Sequence, residues 1–106
     1  MELNEYQVQA KQYAKYKSGV IYTALGLGGE SGEVLEKVKK EIRDRDSKFG
    51  DEFKEMIIPE LGDVLWYIAN FAKELDVTLE EVAQANLDKL SSRSQRGKIH
   101  GDGDNR

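Results

Sequence analysis

From Val20 to Asp44 apolar residues recur at the spacing of a helix, at Ile21, Leu25, Val34, Leu35, Val38 and Ile42, and nowhere in the chain do they alternate as a strand requires. A chain patterned this way builds helices. Before it, Asn4 stands as an N-cap with Gln7 at N3 to close a capping box and Leu3 and Val8 as the hydrophobic staple, which predicts a first helix from Asn4 to Tyr16. Ser18-Gly19 breaks the pattern, and the polar run Arg43 to Gly50 reads as a loop. A third helical stretch follows from Asp51 to Leu75. Pro59 lies inside it and either kinks one helix or ends one near Ile57 and starts another. Thr78 and Glu81 form a second capping box with Val77 and Val82 as its staple; Leu79, Val82, Ala83, Asn86, Leu87 and Leu90 then mark one face to Arg93. The expectation is an all-α, antiparallel bundle of four to five helices.

With 106 residues, 39% hydrophobic and 34% charged, the chain suits one domain over residues 1–106, of a size at which association often completes the core. There is no cysteine, which excludes disulfides and thiolate metal sites and fits a reducing cytoplasm. No apolar run suits a membrane helix, and the opening Met-Glu-Leu-Asn-Glu lacks the basic start of a secretory signal, so a soluble cytoplasmic protein with no membrane partner is expected. Net charge is −4, yet Lys89 to Arg106 carries +3 and the remainder −7. That asymmetry argues against a stable nucleic-acid partner and suits a smaller anion gripped at one basic end.

The stretch Gly26-Leu-Gly-Gly-Glu-Ser-Gly-Glu33 puts Glu30 and Glu33 three apart, neighbours on one helix face, and Glu60-Leu-Gly-Asp63 repeats the spacing. Like charges side by side call for an opposite one. Oxygen-only ligands favour a hard cation, and magnesium is the usual choice when a substrate brings phosphate oxygens. The only histidine, His100, lies near the end of the chain, so the Glu-x-x-His pairs of a di-iron bundle are missing. Four glycines inside one helix, Gly26, Gly28, Gly29 and Gly32, cost ~4 kcal/mol together relative to alanine. Gly62 repeats the feature between Glu60 and Asp63, where a second helix or a ligand would approach the backbone. One such acidic pair is ordinarily a solvated face; two, each beside glycine, point to a site. No strand precedes the glycines and no Gly-Lys-Ser/Thr follows, so a P-loop is a poor alternative.

Asn86, Lys89 and Arg93 fall on one stripe of the last helix, a donor surface for phosphate; taken alone, Lys89 and Arg93 are equally a basic last turn complementing the helix dipole. Trp66, Tyr67, Ile68 and Phe71 read as core or subunit interface rather than a base-stacking platform. Residues 97–106 read as a flexible tail that closes over a substrate, with Arg96 and Lys98 reaching phosphate.

The pattern Glu30-x-x-Glu33, then a spacer, then Glu60-x-x-Asp63, with the later Asn86-x-x-Lys89-x-x-x-Arg93, resembles the MazG-like all-α nucleoside triphosphate pyrophosphohydrolases, a superfamily with dimeric dUTPases and phosphoribosyl-ATP pyrophosphohydrolases. The resemblance covers almost the whole chain. It implies a homodimer or a tetramer, Mg2+ (with Mn2+ as a substitute) on Glu30, Glu33, Glu60 and Asp63, and a nucleoside triphosphate as substrate. Glu30, Glu33, Lys89 and Arg93 would be its catalytic residues, and Asn86, Lys89, Arg93, Arg96 and Lys98 would bind the substrate. One departure is Gly29, which stands where many members carry an extra glutamate. The expected activity is Mg2+-dependent hydrolysis of a (deoxy)nucleoside triphosphate to the monophosphate and pyrophosphate, in nucleotide-pool control or house-cleaning. The alternative is a non-catalytic helical module that binds a nucleotide or a protein partner.

Overall fold

The computed structural model describes residues 1–106 and contains four α-helices and no strand: α1 Leu3–Lys11, α2 Gly19–Arg45, α3 Asp51–Glu74 and α4 Leu79–Gln95. Ser18, in the left-handed region at φ 54°, turns the chain into α2, and Asp46, Ser47 and Phe49, all at positive φ, reverse it into α3. Across the resulting hairpin Glu74 lies against Gly19, Tyr67 against Gly26, Lys37 pairs with Glu60 and Arg45 with Glu52. Partners thus run in opposite order along the two helices, which makes α2 and α3 antiparallel. α3 continues unbroken through Pro59, so there is no fifth helix. The packing of both halves of α3 on α2 offsets the ~3 kcal/mol that an interior proline costs.

α1 departs from expectation in two ways. It ends at Lys11 rather than Tyr16. The indole Nε1 of Trp66 donates to the Ala10 carbonyl at 3.1 Å, the acceptor that another turn would use, and the amides of Tyr13 and Ala14 fall back to tighter bonds with Ala10 and Lys11. Nor is Asn4 the cap of its own helix; the cap position is Glu2, without a side-chain bond, and Val8 is exposed rather than stapled. Asn4 and Gln7 serve α4 instead. Asn4 Oδ1 accepts from the Glu80 amide at 3.0 Å, and Gln7 Oε1 from the Leu79 amide at 3.1 Å, while Gln7 Nε2 donates to the carbonyls of Ala69 (3.2 Å) and Val77 (3.0 Å). The second capping box fares better: Thr78 is the cap of α4 and accepts from the Glu81 amide at 3.0 Å.

The tight core is small. Ala10, Ala69 and Leu79 are buried, with Tyr6, Trp66 and Ile68 packed around them where α1, α3 and the start of α4 meet. The apolar face predicted for α2 divides in two. Val34 and Val38 are half-buried on the side of Gly26, whereas Ile21, Leu25, Leu35 and Ile42 stand exposed along another side with Gly28 and Gly32 between them. On α4 Val82, Leu87 and Leu90 are likewise exposed. The radius of gyration is 16.5 Å, against about 13 Å for a compact domain of this length. No helix is long and apolar enough to cross a membrane.

Candidate metal centre

Glu30 lies one turn after Gly26 on α2, and Asp63 one turn before Tyr67 on α3. Gly26 and Tyr67 are in contact, and a Cβ at position 26 would overlap the tyrosine ring. This glycine therefore lets α3 come close at the level where the acidic residues face each other. Carboxylate oxygens of Glu30, Glu60 and Asp63 lie within 4.8 Å of one another, Glu30 and Glu60 half-buried and Asp63 exposed. Glu33 lies outside this trio, exposed, one turn further along α2. Three of the four expected carboxylates converge.

Partial burial pushes the Glu30 carboxyl above its ordinary range, and the negative charges of Asp63, Glu60 and Glu33 push it further. Opposing them is Lys37, whose Nζ is 3.9 Å from Glu60 Oε1. Lys37 escaped the sequence reading, although it falls one turn beyond Glu33 and two beyond Glu30. Three oxygen donors from two helices, with one ammonium against them, fit a hard divalent cation. Around this group the Tyr67 phenol is raised, first by hydrogen bonding to Tyr22, then by burial and by the charges of Tyr22, Glu30 and Asp63. Tyr67 meets Trp66 edge-on at 5.0 Å and Tyr22 at 6.2 Å, and Tyr22 stacks on Tyr16 at 4.9 Å. These rings pack the connection before α2 onto α3 within the chain. Gly28, Gly29, Gly32 and Gly62 face open space, so of the glycines beside the acidic pairs only Gly26 admits a helix within the chain.

The basic stripe lies elsewhere. α4 touches α1 and α3 and makes no contact with α2. Lys89 Nζ pairs with Asp104 Oδ1 at 2.9 Å, and the buried Arg93 reaches the same oxygen at 3.2 Å and also donates to the Asp104 carbonyl. Asn86 is exposed. Arg96 donates to Ser92 Oγ and to the Arg106 carbonyl, and Arg106 donates to the carbonyls of Lys98, Ile99 and Gly103. His100 is exposed. Residues 97–106 thus form a loop folded back on α4; the acid that holds it there, Asp104, gave no local signal in the sequence. The largest concavity, about 520 Å³, lies at the α2–α3 turn and is lined by residues such as Glu41, Arg45 and Glu52, none of them carboxylates of the trio.

Residues 21–97 match the model of the MazG nucleotide pyrophosphohydrolase domain. Over 114 aligned residues the chain is 45% identical to Gene 37 protein of Mycobacterium phage L5, covering 100% of both. No solved structure matches it significantly.

Proposed function

Because the chain belongs to the MazG nucleotide pyrophosphohydrolase family, we propose that it hydrolyses a (deoxy)nucleoside triphosphate to the monophosphate and pyrophosphate with Mg2+ as cofactor, in nucleotide-pool control or house-cleaning. The observation that carries this reading is the convergence of Glu30, Glu60 and Asp63 from two helices. These three, with Glu33 one turn away, would hold Mg2+, or Mn2+ in its place. When bound, such an ion polarises phosphate oxygens and lowers the pKa of a coordinated water.

The chain's own groups do the rest. Glu33, outside the trio and exposed, is available to accept a proton from water. Lys89 and Arg93 neutralise phosphate charge, Arg93 as a planar fork and Lys89 as a point charge. Asn86, Arg96 and Lys98 are further polar groups along the same end of α4. Acidic trio and basic stripe occupy different parts of one chain, and the exposed apolar stripe of α2 offers a helix-packing surface; both support a homodimer or tetramer in which the site is completed. The cytoplasm is the compartment proposed for the protein, in keeping with a nucleoside triphosphate substrate and the absence of cysteine.

The test is pyrophosphate release across a panel of canonical and modified triphosphates, with Mg2+ and with EDTA. Release is expected with Mg2+ only, and Glu33→Gln and Asp63→Asn are expected to lower turnover at least about a hundredfold. Full turnover by either variant at saturating Mg2+ would remove that carboxylate from the proposed site, and no release from any triphosphate by a folded sample would sink the enzymatic reading. Gly29 in place of an acid keeps a non-catalytic nucleotide-binding module as the second reading. A folded sample that binds a triphosphate with Mg2+ and releases nothing supports that one.

A further inference from the structure

A carboxylate already occupies the basic stripe. Asp104 Oδ1 accepts from both Lys89 and Arg93, and Arg93 holds the Asp104 carbonyl as well. The acid is delivered by a built loop rather than a loose end. Arg106 bridges the carbonyls of Lys98 (3.1 Å), Ile99 (2.8 Å) and Gly103 (2.6 Å), and Arg96 holds the Arg106 carbonyl at 2.6 Å. Gly97, Gly101 and Gly103, at φ 67°, 139° and 84°, supply the reversals that return the chain to α4. The arrangement is lopsided in burial: Arg93 has a side chain 7% exposed, whereas that of Asp104 is 80% exposed. The cationic receptor is fixed and its occupant is at the surface, where a competitor can reach it.

We infer that residues 97–106 are a displaceable clip, in which the Asp104 carboxylate imitates a phosphate on Lys89 and Arg93 and must leave before the phosphate chain of a substrate or a pyrophosphate product can bind there. The inference rests on the reading of Lys89 and Arg93 as the phosphate-binding pair. One guanidinium nitrogen of Arg93 donates to two oxygens of Asp104 and the Lys89 ammonium to one of them, charge-assisted contacts that a phosphate oxygen would equally accept. Asp104 is held below the usual carboxylate range, first by hydrogen bonds to Lys89 and Arg93 and then by the charge of Lys89. The acid therefore stays ionised at neutral pH, and a competing anion, not mild acidification, opens the clip.

The experiment is calorimetric titration of the full chain with inorganic pyrophosphate in EDTA, beside exchange of the hydrogen-bonded Gly97 and Lys98 amides, for the unaltered chain, Asp104→Asn and Lys89→Ala. Asp104→Asn is expected to bind pyrophosphate about fivefold more tightly, the scale of an exposed ion pair. Pyrophosphate is expected to speed exchange at these two amides of the unaltered chain. If Lys89→Ala weakens binding while Asp104→Asn matches or falls below the unaltered chain, the anion site stands and the clip is overturned. If pyrophosphate binds none of the three, or is indifferent to Lys89→Ala, the phosphate reading of the stripe falls and the clip with it.

Discussion

Glu30 places a carboxylate in a stripe of α2 that also holds Thr23, Gly26, Val34 and Val38, and the placement has an energetic sign. Its carboxyl is raised in the fold by partial burial and then by Asp63, Glu60 and Glu33. The fold therefore binds the proton more tightly than the unfolded chain does. Charged Glu30 costs stability above that raised value, and the cost fades as pH falls through it. Glu30→Gln is thus expected to raise the melting temperature of the metal-free protein at pH 7 and to lose most of the further rise that Mg2+ gives the unaltered chain. A Gln variant protected by Mg2+ as strongly as the parent would remove Glu30 from the proposed ligand set. At this scale the sequence was legible where partners sit within a turn or two. Glu30/Glu33 and Glu60/Asp63 could be seen as pairs, because helical spacing alone makes neighbours of them. That Glu33 drops out of the trio, that Lys37 enters beside Glu60, and that Asp104 meets Lys89 and Arg93 depend on how helices and loop dock, which no local spacing encodes.

At the scale of elements, the starts of α2 and α4 follow from Ser18-Gly19 and from Thr78 with Glu81, because these residues act on their own helix. Asn4 and Gln7 mislead for the converse reason. They have the residue types and spacing of a capping box, yet their polar atoms are spent on the start of α4 and the end of α3. A capping motif states what a helix start can use, not which helix start will use it. Pro59 misleads less, since a proline in mid-helix sets a cost without saying whether packing offsets it. Gln7 therefore acts as a clamp among three helices. Gln7→Ala would strand the buried Leu79 amide and two carbonyls, and a loss of about 2–4 kcal/mol in urea unfolding is expected, with faster amide exchange along the first turn of α4. A loss under about 0.5 kcal/mol would mean that water replaces all three bonds without penalty.

For the molecule as a whole, a radius of gyration of 16.5 Å and a tight core confined to one end leave apolar faces exposed, which the proposed oligomer would cover. Ile21, Leu25, Gly28, Gly32 and Leu35 follow the alternating four- and three-residue spacing of a packing seam, which Ile42 continues one heptad on, with nothing against either glycine. A second copy packed there would explain why the sequence tolerates glycines inside a helix. The expected mass in solution is therefore a multiple of 12.0 kDa, with a melting temperature that climbs with protein concentration. Leu35→Glu is expected to halve the mass at least, and a 12.0 kDa species at every concentration would overturn the seam. The sequence showed these residues as one helical face with Val34 and Val38; it did not divide that face between α3 and the outside, because apolar spacing counts surfaces to be covered without naming what covers them.

The short α1 also fixes an order of events during synthesis. Its side chains reach residues 62 to 76 positions downstream, and it makes no contact with α2. At about 5–20 residues per second a ribosome leaves α1 waiting roughly 3 to 15 seconds for those partners to emerge. The α2–α3 turn and the first half of α3 emerge before then, so the hairpin can begin to form while α1 waits. α1 consequently leaves the ribosome before α2 yet docks later, and the pace of translation through α3 and the first turn of α4 sets how long its apolar residues stay uncovered.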